Sequence, residues 1–158
     1  MVGKQSLIFE KKPYLIGSAS VVGSKEAEGP MGQLFDKVGY DDKFGADNWE
    51  GAEGNLQSEA LELALEKCGL KAEELDILYA GDLLGQSIAS SFGLAAYPIP
   101  HVGLYGACST CGLSLSMGSM AVAAGFAKKA ACVTSSHFAS AEKQFRFPLE
   151  YANQRPVC

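Results

Sequence analysis

The stretch Pro98-Ile99-Pro100-His101-Val102-Gly103-Leu104-Tyr105-Gly106-Ala107-Cys108-Ser109-Thr110-Cys111-Gly112 decides the fold. Residues 98–105 read as an extended apolar segment, and Gly106 interrupts it. From Ala107 an Ala/Leu/Met/Ser-rich run of helical composition continues to Gly125. A thiol, Cys108, therefore stands where a strand stops and a helix starts. The unpaired N–H groups and positive dipole end of such a helix favour the thiolate. The small neighbours Gly106, Ala107, Ser109 and Gly112 leave room for a ligand. A nucleophile on a sharp strand-to-helix turn is a recurring solution for acyl transfer.

Working outward, Lys128-Lys129 leads into Ala130-Ala131-Cys132-Val133-Thr134, a buried strand by its apolar and β-branched content. Upstream, residues 75–80 read as another strand, followed by Gly81-Asp82 and a helical stretch over residues 83–92. A charged turn, Lys71-Ala72-Glu73-Glu74, precedes that strand. Residues 57–68 form a helix capped by Asn55 or Ser58 and stopped by Gly69 in the position that needs a left-handed backbone. Residues 23–54 are rich in Gly, Asp, Lys and Glu and suit a long surface excursion. Residues 13–22 read as a buried strand. The alternation of strand and helix predicts an α/β fold, one βαβαβαβ unit with a mostly parallel sheet. No internal repeat is visible.

Composition narrows the class. The 158 residues suit one domain, with 47% hydrophobic and 20% charged positions. That balance excludes a disordered tail, a collagen-like repeat and a disulfide mini-protein. A net charge of −5, from 13 basic and 18 acidic side chains, argues against wrapping nucleic acid. The odd set of five cysteines points to thiols in a reducing compartment. Met1 to Ser6 shows no secretory apolar region, so a cytoplasmic origin is expected. Residues 83–127 carry no charge, but Pro98, Pro100, His101 and repeated Gly and Ser interrupt the run, which predicts a core rather than a membrane span. Arg155-Pro156-Val157-Cys158 has no cap or terminating signal and reads as a chain cut in mid-course.

Ala107-Cys108-Ser109-Thr110 and the small apolar helix after it resemble the active-site motif of the thiolase and ketoacyl synthase superfamily. Gly125, seventeen residues past Cys108, matches a glycine kept there. Ser58-Glu59-Ala60-Leu61, Gly69-Leu70-Lys71, Glu74-Leu75-Asp76, Gly81-Asp82-Leu83-Leu84-Gly85-Gln86 and Pro98-Ile99-Pro100 fit as well. The resemblance covers about residues 14–136. Within the superfamily, Gly39-Tyr40-Asp41-Asp42-Lys43-Phe44-Gly45, Ser135-Ser136-His137-Phe138 and residues 142–151 are similar to the stage V sporulation protein AD family of spore-forming Firmicutes.

That resemblance implies a thiolase-like fold of which this chain, residues 1–158, is the N-terminal half, with the second half absent. It implies binding of dipicolinic acid, its movement into the developing spore and its release at germination. The chain would be the soluble subunit of a transport assembly with other stage V sporulation A membrane proteins. Synthesis in the forespore cytoplasm and a peripheral place on the spore inner membrane follow, as does a homodimer. No cofactor is implied. The superfamily's catalytic bases come from the second half, and neither His101 nor His137 lies in a matching motif. Cys108 therefore keeps the nucleophile position without a base, and an enzyme is not expected. The competing reading is a condensing enzyme that uses Cys108 on an acyl thioester of coenzyme A or a carrier protein. A third is a structural scaffold within the channel assembly.

Dipicolinate is a planar dianion, so its site should offer donors or a cation. Cys108, Ser109, Thr110, Ser135, Ser136, His137 and Arg146 are the candidate ligand-binding residues, with the Cys108 helix supplying N–H groups. Lys143 and Arg155 are further cations, interleaved with Phe145, Phe147 and Tyr151, a stretch that alternatively packs a dimer or domain interface. His137 alternatively is a structural histidine. Asp41, Asp42, Asp47, Asn48, Glu50 and Glu53 surround Trp49. Calcium travels with dipicolinate, but this spacing does not match an EF-hand, and no metal site is expected in a solvated acidic loop. Cys108 and Cys111 form a C-x-x-C without the context of a redox or zinc pair, and Cys111 is expected to pack the helix.

Overall fold

The structure, a computed structural model, describes residues 4–151, with side chains as far as Phe145. Strand β3 (Ile77–Gly81) is its centre, flanked in parallel by β4 (His101–Gly103) and β5 (Ala130–Thr134). In register, Tyr79 faces Val102 on one side and Cys132 on the other. The alternation of β3 fills both faces of the sheet. Leu78 and Ala80 point to a core with Leu61, Leu75, Leu94, Ile99 and Val133. Tyr79 packs on the opposite face with Ala121 and Ala127. A second, two-stranded parallel sheet joins β1 (Val21–Gly23) to β2 (Lys37–Gly39), with the short helix α1 (Ser24–Ala27) between them. The architecture is α/β with parallel sheets, as the alternation predicts, and is consistent with one thiolase-like half.

Helix α2 (Trp49–Cys68) begins well before the expected start. Its cap is Asn48, whose side-chain oxygen accepts from Gly51 N–H at 2.7 Å, rather than Asn55 or Ser58. Gly51 and Gly54 look like breakers in sequence, but Gly54 lies in the contact between α2 and α3 (Ile88–Gly93). A β-carbon on Gly93 would fall 2.5 Å from the Gly54 carbonyl oxygen, so the two backbones touch. Gly69 ends α2 in the left-handed region with φ 65°, as expected.

Three further expectations are corrected. Of residues 13–22 only the end is a strand, and Tyr14, Leu15 and Ile16 are 82%, 78% and 65% exposed. This segment takes no place in a sheet ladder. It borders an apolar groove of about 370 Å3 against Leu61, Leu65, Cys111, Leu115 and β5. The excursion over residues 23–54 holds α1, β2 and the start of α2. The helix expected over residues 83–92 is confined to α3, because Gln86 (φ 61°) and Ser87 (φ 50°) adopt left-handed backbones before it. Residues 138–151, not read as helical in sequence, form α5 (Phe138–Tyr151).

Helix α4 (Thr110–Ala124) follows a 3-10 turn (Ala107–Ser109) and ends at left-handed Gly125 with φ 80°. Its buried positions are the small ones, Thr110, Ser114, Gly118 and Ala121, which let it lie close on the sheet. A β-carbon on Gly118 would meet Cys132 Sγ at 2.7 Å. The larger side chains of Leu115 and Met120 face outward. By length and composition Ala107–Ala124 is apolar enough to cross a membrane, and 22% of it is buried. Gly and Ser interrupt the run, as read from the sequence, but most of the helix surface is not buried.

Candidate functional site

The carboxyl ends of β3, β4 and β5 meet at one place, where open parallel sheets position their ligands. Ser135 N–H donates to the Gly81 carbonyl at 3.3 Å, and Leu104 N–H donates to the Ala80 carbonyl at 2.8 Å. The turn that carries Cys108 rises from this edge. Ala107 sits at φ 47°, a conformation that a residue with a β-carbon adopts at a cost of roughly 1–2 kcal/mol. Backbone strain of this kind gathers at functional sites, and Gln86 and Ser87, on the turn after β3, share it.

Hydroxyl groups staple the Cys108 turn. Ser109 Oγ donates to the Gly106 carbonyl at 2.7 Å. Thr110 Oγ1 donates to the Ala107 carbonyl at 2.8 Å and accepts from Gly106 N–H at 3.1 Å. Cys108 itself is exposed, as is Cys111, which is therefore not the helix-packing residue expected. Ser135 Oγ donates to Glu53 Oε1 at 2.7 Å and accepts from Gln57 Nε2 at 2.8 Å. Ser109, Thr110 and Ser135 thus direct their single protons to protein acceptors. As placed, they orient the site and do not offer a proton to an anion. Ser136 is exposed.

Beside the turn lies an open cleft of about 330 Å3 lined by residues 83–86, by Gln144 and Phe145, and by Tyr105. This volume lies at the lower end of small-ligand sites. Tyr105, three residues before Cys108, is the link between turn and cleft.

His137 faces elsewhere. Its Nε2 lies 2.6 Å from the Asp42 carbonyl, an acceptor, so Nε2 carries the proton. Its ring packs on Trp49 at 5.7 Å and edge-on to Phe44 at 6.1 Å, and Nδ1 is buried without a partner. The acidic loop satisfies itself in a similar way. Asp41 accepts from Gly45 N–H at 2.7 Å and from Lys43 N–H at 3.1 Å, and these bonds hold its carboxyl below the usual range. Glu50 pairs with Lys143 at 2.6 Å, which lowers the Glu50 pKa and occupies that lysine. Among the described residues no group of three His, Cys, Asp or Glu gathers that could hold a metal ion. Arg146 and Arg155 lie outside the residues whose side chains are described.

Buried polar residues complete the site, and one corrects an expectation: Glu53, placed with the solvated acidic loop, is instead fully buried within α2. Glu53, Gln57 and Ser90 are 0% exposed, and Asp82 and Ser140 are 1%. Asp82 Oδ1 accepts from Leu84 N–H at 2.8 Å, and Oδ2 accepts from Ser90 N–H at 2.8 Å. The available signal was the spacing of Glu53 and Gln57, four residues apart and so on one helix face.

Comparison with known proteins agrees with this architecture. The chain is 41% identical over 157 residues to "Stage V sporulation protein AD" of Bacillus subtilis (strain 168), an alignment covering 99% of this chain and 46% of that protein. It therefore spans about half the length of that relative. The family model for stage V sporulation protein AD matches residues 3–158. By the family model the chain belongs to the stage V sporulation protein AD (SpoVAD) family, a family of sporulation proteins.

Proposed function

We propose that this chain forms part of a dipicolinate-binding protein that serves the entry of dipicolinate into the spore and its release at germination. The observation that carries the reading is the cleft beside the Cys108 turn. Its volume of about 330 Å3 suits a small planar molecule. Tyr105 and Phe145 offer aromatic surface, and the amides of Gln86 and Gln144 can donate to carboxylates. The strained Cys108 turn opens the helix above it, whose first N–H groups favour an anion. With Ser109, Thr110 and Ser135 bonded internally, the donors assigned to ligand are these amides and backbone N–H groups.

The wider reading belongs to the whole protein. It works as a homodimer with other stage V sporulation A membrane proteins, peripheral on the spore inner membrane, and polypeptide beyond this half covers the outward face of α4. Calorimetric titration of dipicolinate into this chain and into the full-length protein tests the binding. Binding to both, weakened by Cys108→Ala and Gln144→Ala, supports a site in this half. Binding to the full-length protein alone moves essential contacts to the other half, and binding to neither overturns the reading.

Exposure of Cys108 on a strained strand-to-helix turn favours a second reading, an acyltransferase or ketosynthase. The thiolate would attack an acyl thioester, forming a Cys108 thioester and releasing the thiol of the donor. A stable mass increase on Cys108 after incubation with an acyl-coenzyme A would establish it, and none across a range of chain lengths would exclude it.

A further inference from the structure

Gln57 lies in α2 with none of its surface exposed and its Oε1 unpartnered. Its amide nitrogen is the branch point of two hydrogen-bonded arms. In one, Nε2 donates to Ser90 Oγ at 3.0 Å, and Ser90 Oγ donates to Asp82 Oδ2 at 2.5 Å. Asp82 in turn accepts from Leu84 N–H. In the other, Nε2 donates to Ser135 Oγ at 2.8 Å, and Ser135 Oγ donates to Glu53 Oε1 at 2.7 Å. Glu53 Oε2 accepts from Ser140 Oγ.

Ser90 Oγ and Ser135 Oγ each give their one proton to a carboxylate oxygen, so each receives its second bond from the Gln57 amide. That logic fixes the amide with its NH2 group between the serines. It also accounts for the unpaired Oε1, since turning the amide over would break both arms. A buried acceptor left empty is costly, and the network keeps it so.

The arms end on the two walls of the cleft. Leu84 belongs to the wall formed by residues 83–86. Ser140 lies one helical turn before Gln144, which belongs to the opposite wall. The walls approach each other where a β-carbon on Gly85 would lie 3.5 Å from Gln144 Nε2. We propose that Gln57 is a positioning residue that couples the two walls of the cleft and sets their separation for the ligand. This rests on the cleft being the ligand site, as read above.

The test is hydrogen exchange followed by mass spectrometry on the whole chain, with dipicolinate titration in parallel. Gln57→Leu removes both arms while keeping the bulk. Exchange should accelerate in residues 82–90 and in residues 135–145 together, and dipicolinate affinity should fall by about tenfold. Ser90→Ala cuts one arm only, and coupling requires it to accelerate exchange in the distant wall, residues 135–145, as well as in its own. Ser135→Ala should do the converse. A residue of merely structural value would lower the melting temperature without this reciprocal pattern, and acceleration confined to the wall of the substituted serine overturns the proposal. If Gln57→Leu does not fold, the two serine variants decide. If the wild-type chain does not bind dipicolinate, the functional reading fails, while the exchange pattern still decides the coupling.

Discussion

Gly81 stands against Leu104 with no room for a side chain. A β-carbon at Gly81 would fall 2.1 Å from the Leu104 carbonyl oxygen and 2.6 Å from Thr110 Cγ2. The Gly81 carbonyl also accepts from Ser135 N–H and lies 3.3 Å from Gln57 Nε2. One residue is thus where the ends of β3 and β5, the segment after β4 and the first residue of α4 meet. The close approach allows the Cys108 turn to sit directly on the sheet edge.

Gly81→Ala therefore has to push the Leu104 backbone away, and neither neighbour is the free end of a flexible chain. A loss of about 1–3 kcal/mol is expected in chemical denaturation, the usual range for overpacking. Gly103→Ala is the control, because a β-carbon there meets nothing within 4 Å. Equal stability of the two variants would contradict the contact.

The start of α2 gives a second prediction. Asn48 has an extended backbone (φ −137°, ψ 168°) and caps Gly51 N–H. Asn48→Ala should cost about 1 kcal/mol, and Asn48→Asp should cost much less, since Asp caps equally well. Helix α2 supplies Glu53 and Gln57, so the alanine variant should also loosen residues 135–145 in hydrogen exchange. An unchanged midpoint for Asn48→Ala would mean that α2 is held by its packing and buried hydrogen bonds, with no contribution from the cap.

Much of this was legible from residues alone. The strands β3 and β5 of the parallel sheet follow from two short apolar runs, and Gly69 marked the end of α2 because glycine alone takes a left-handed backbone freely, while Gly125 marked the end of the small-residue helix. The Cys108 turn was legible because a strand, a glycine and a small-residue helix follow one another. The start of α2 was not, since Gly51 and Gly54 mimic a loop, and only the contact with Gly93 explains the glycine at position 54. The role of Ser135 was hidden as well. Its partners Glu53 and Gln57 lie 82 and 78 residues away, beyond any local pattern.

The cysteines differ in a way that chemistry can read. Cys108 and Cys111 are exposed, whereas Cys132 is half-buried under α4 and donates to the Ser114 carbonyl at 3.2 Å. Burial, and then the neighbouring Cys111 thiol, raise the Cys132 pKa. Because thiolate is the reactive form, peptide mapping after brief iodoacetamide treatment should find Cys108 and Cys111 alkylated well before Cys132. Raising the pH should narrow the gap. Early modification of Cys132 would show that α4 does not stay on the sheet.

Acid should release the connection before β5. Asp76 Oδ2 accepts from the backbone N–H groups of Lys128 (2.7 Å) and Lys129 (3.0 Å), and Asp76 N–H donates to the Lys129 carbonyl at 3.0 Å. The Lys129 bond first, then the Lys128 bond, lowers the Asp76 pKa from its ordinary 3.8. The sign follows: a carboxyl whose pKa is depressed by folding stabilises the native state above its ordinary value, and the contribution is lost as pH falls through the folded value. Asp76→Asn should therefore be less stable than wild type at neutral pH, and the difference should shrink in strong acid. Because the donors are backbone groups, added salt should leave the neutral-pH difference largely intact. Salt should instead weaken the exposed Lys67–Asp36 pair at 2.8 Å. A gap between Asp76→Asn and wild type that stays constant from neutral pH into strong acid would show that the Asp76 charge plays no part in holding β5 to β3.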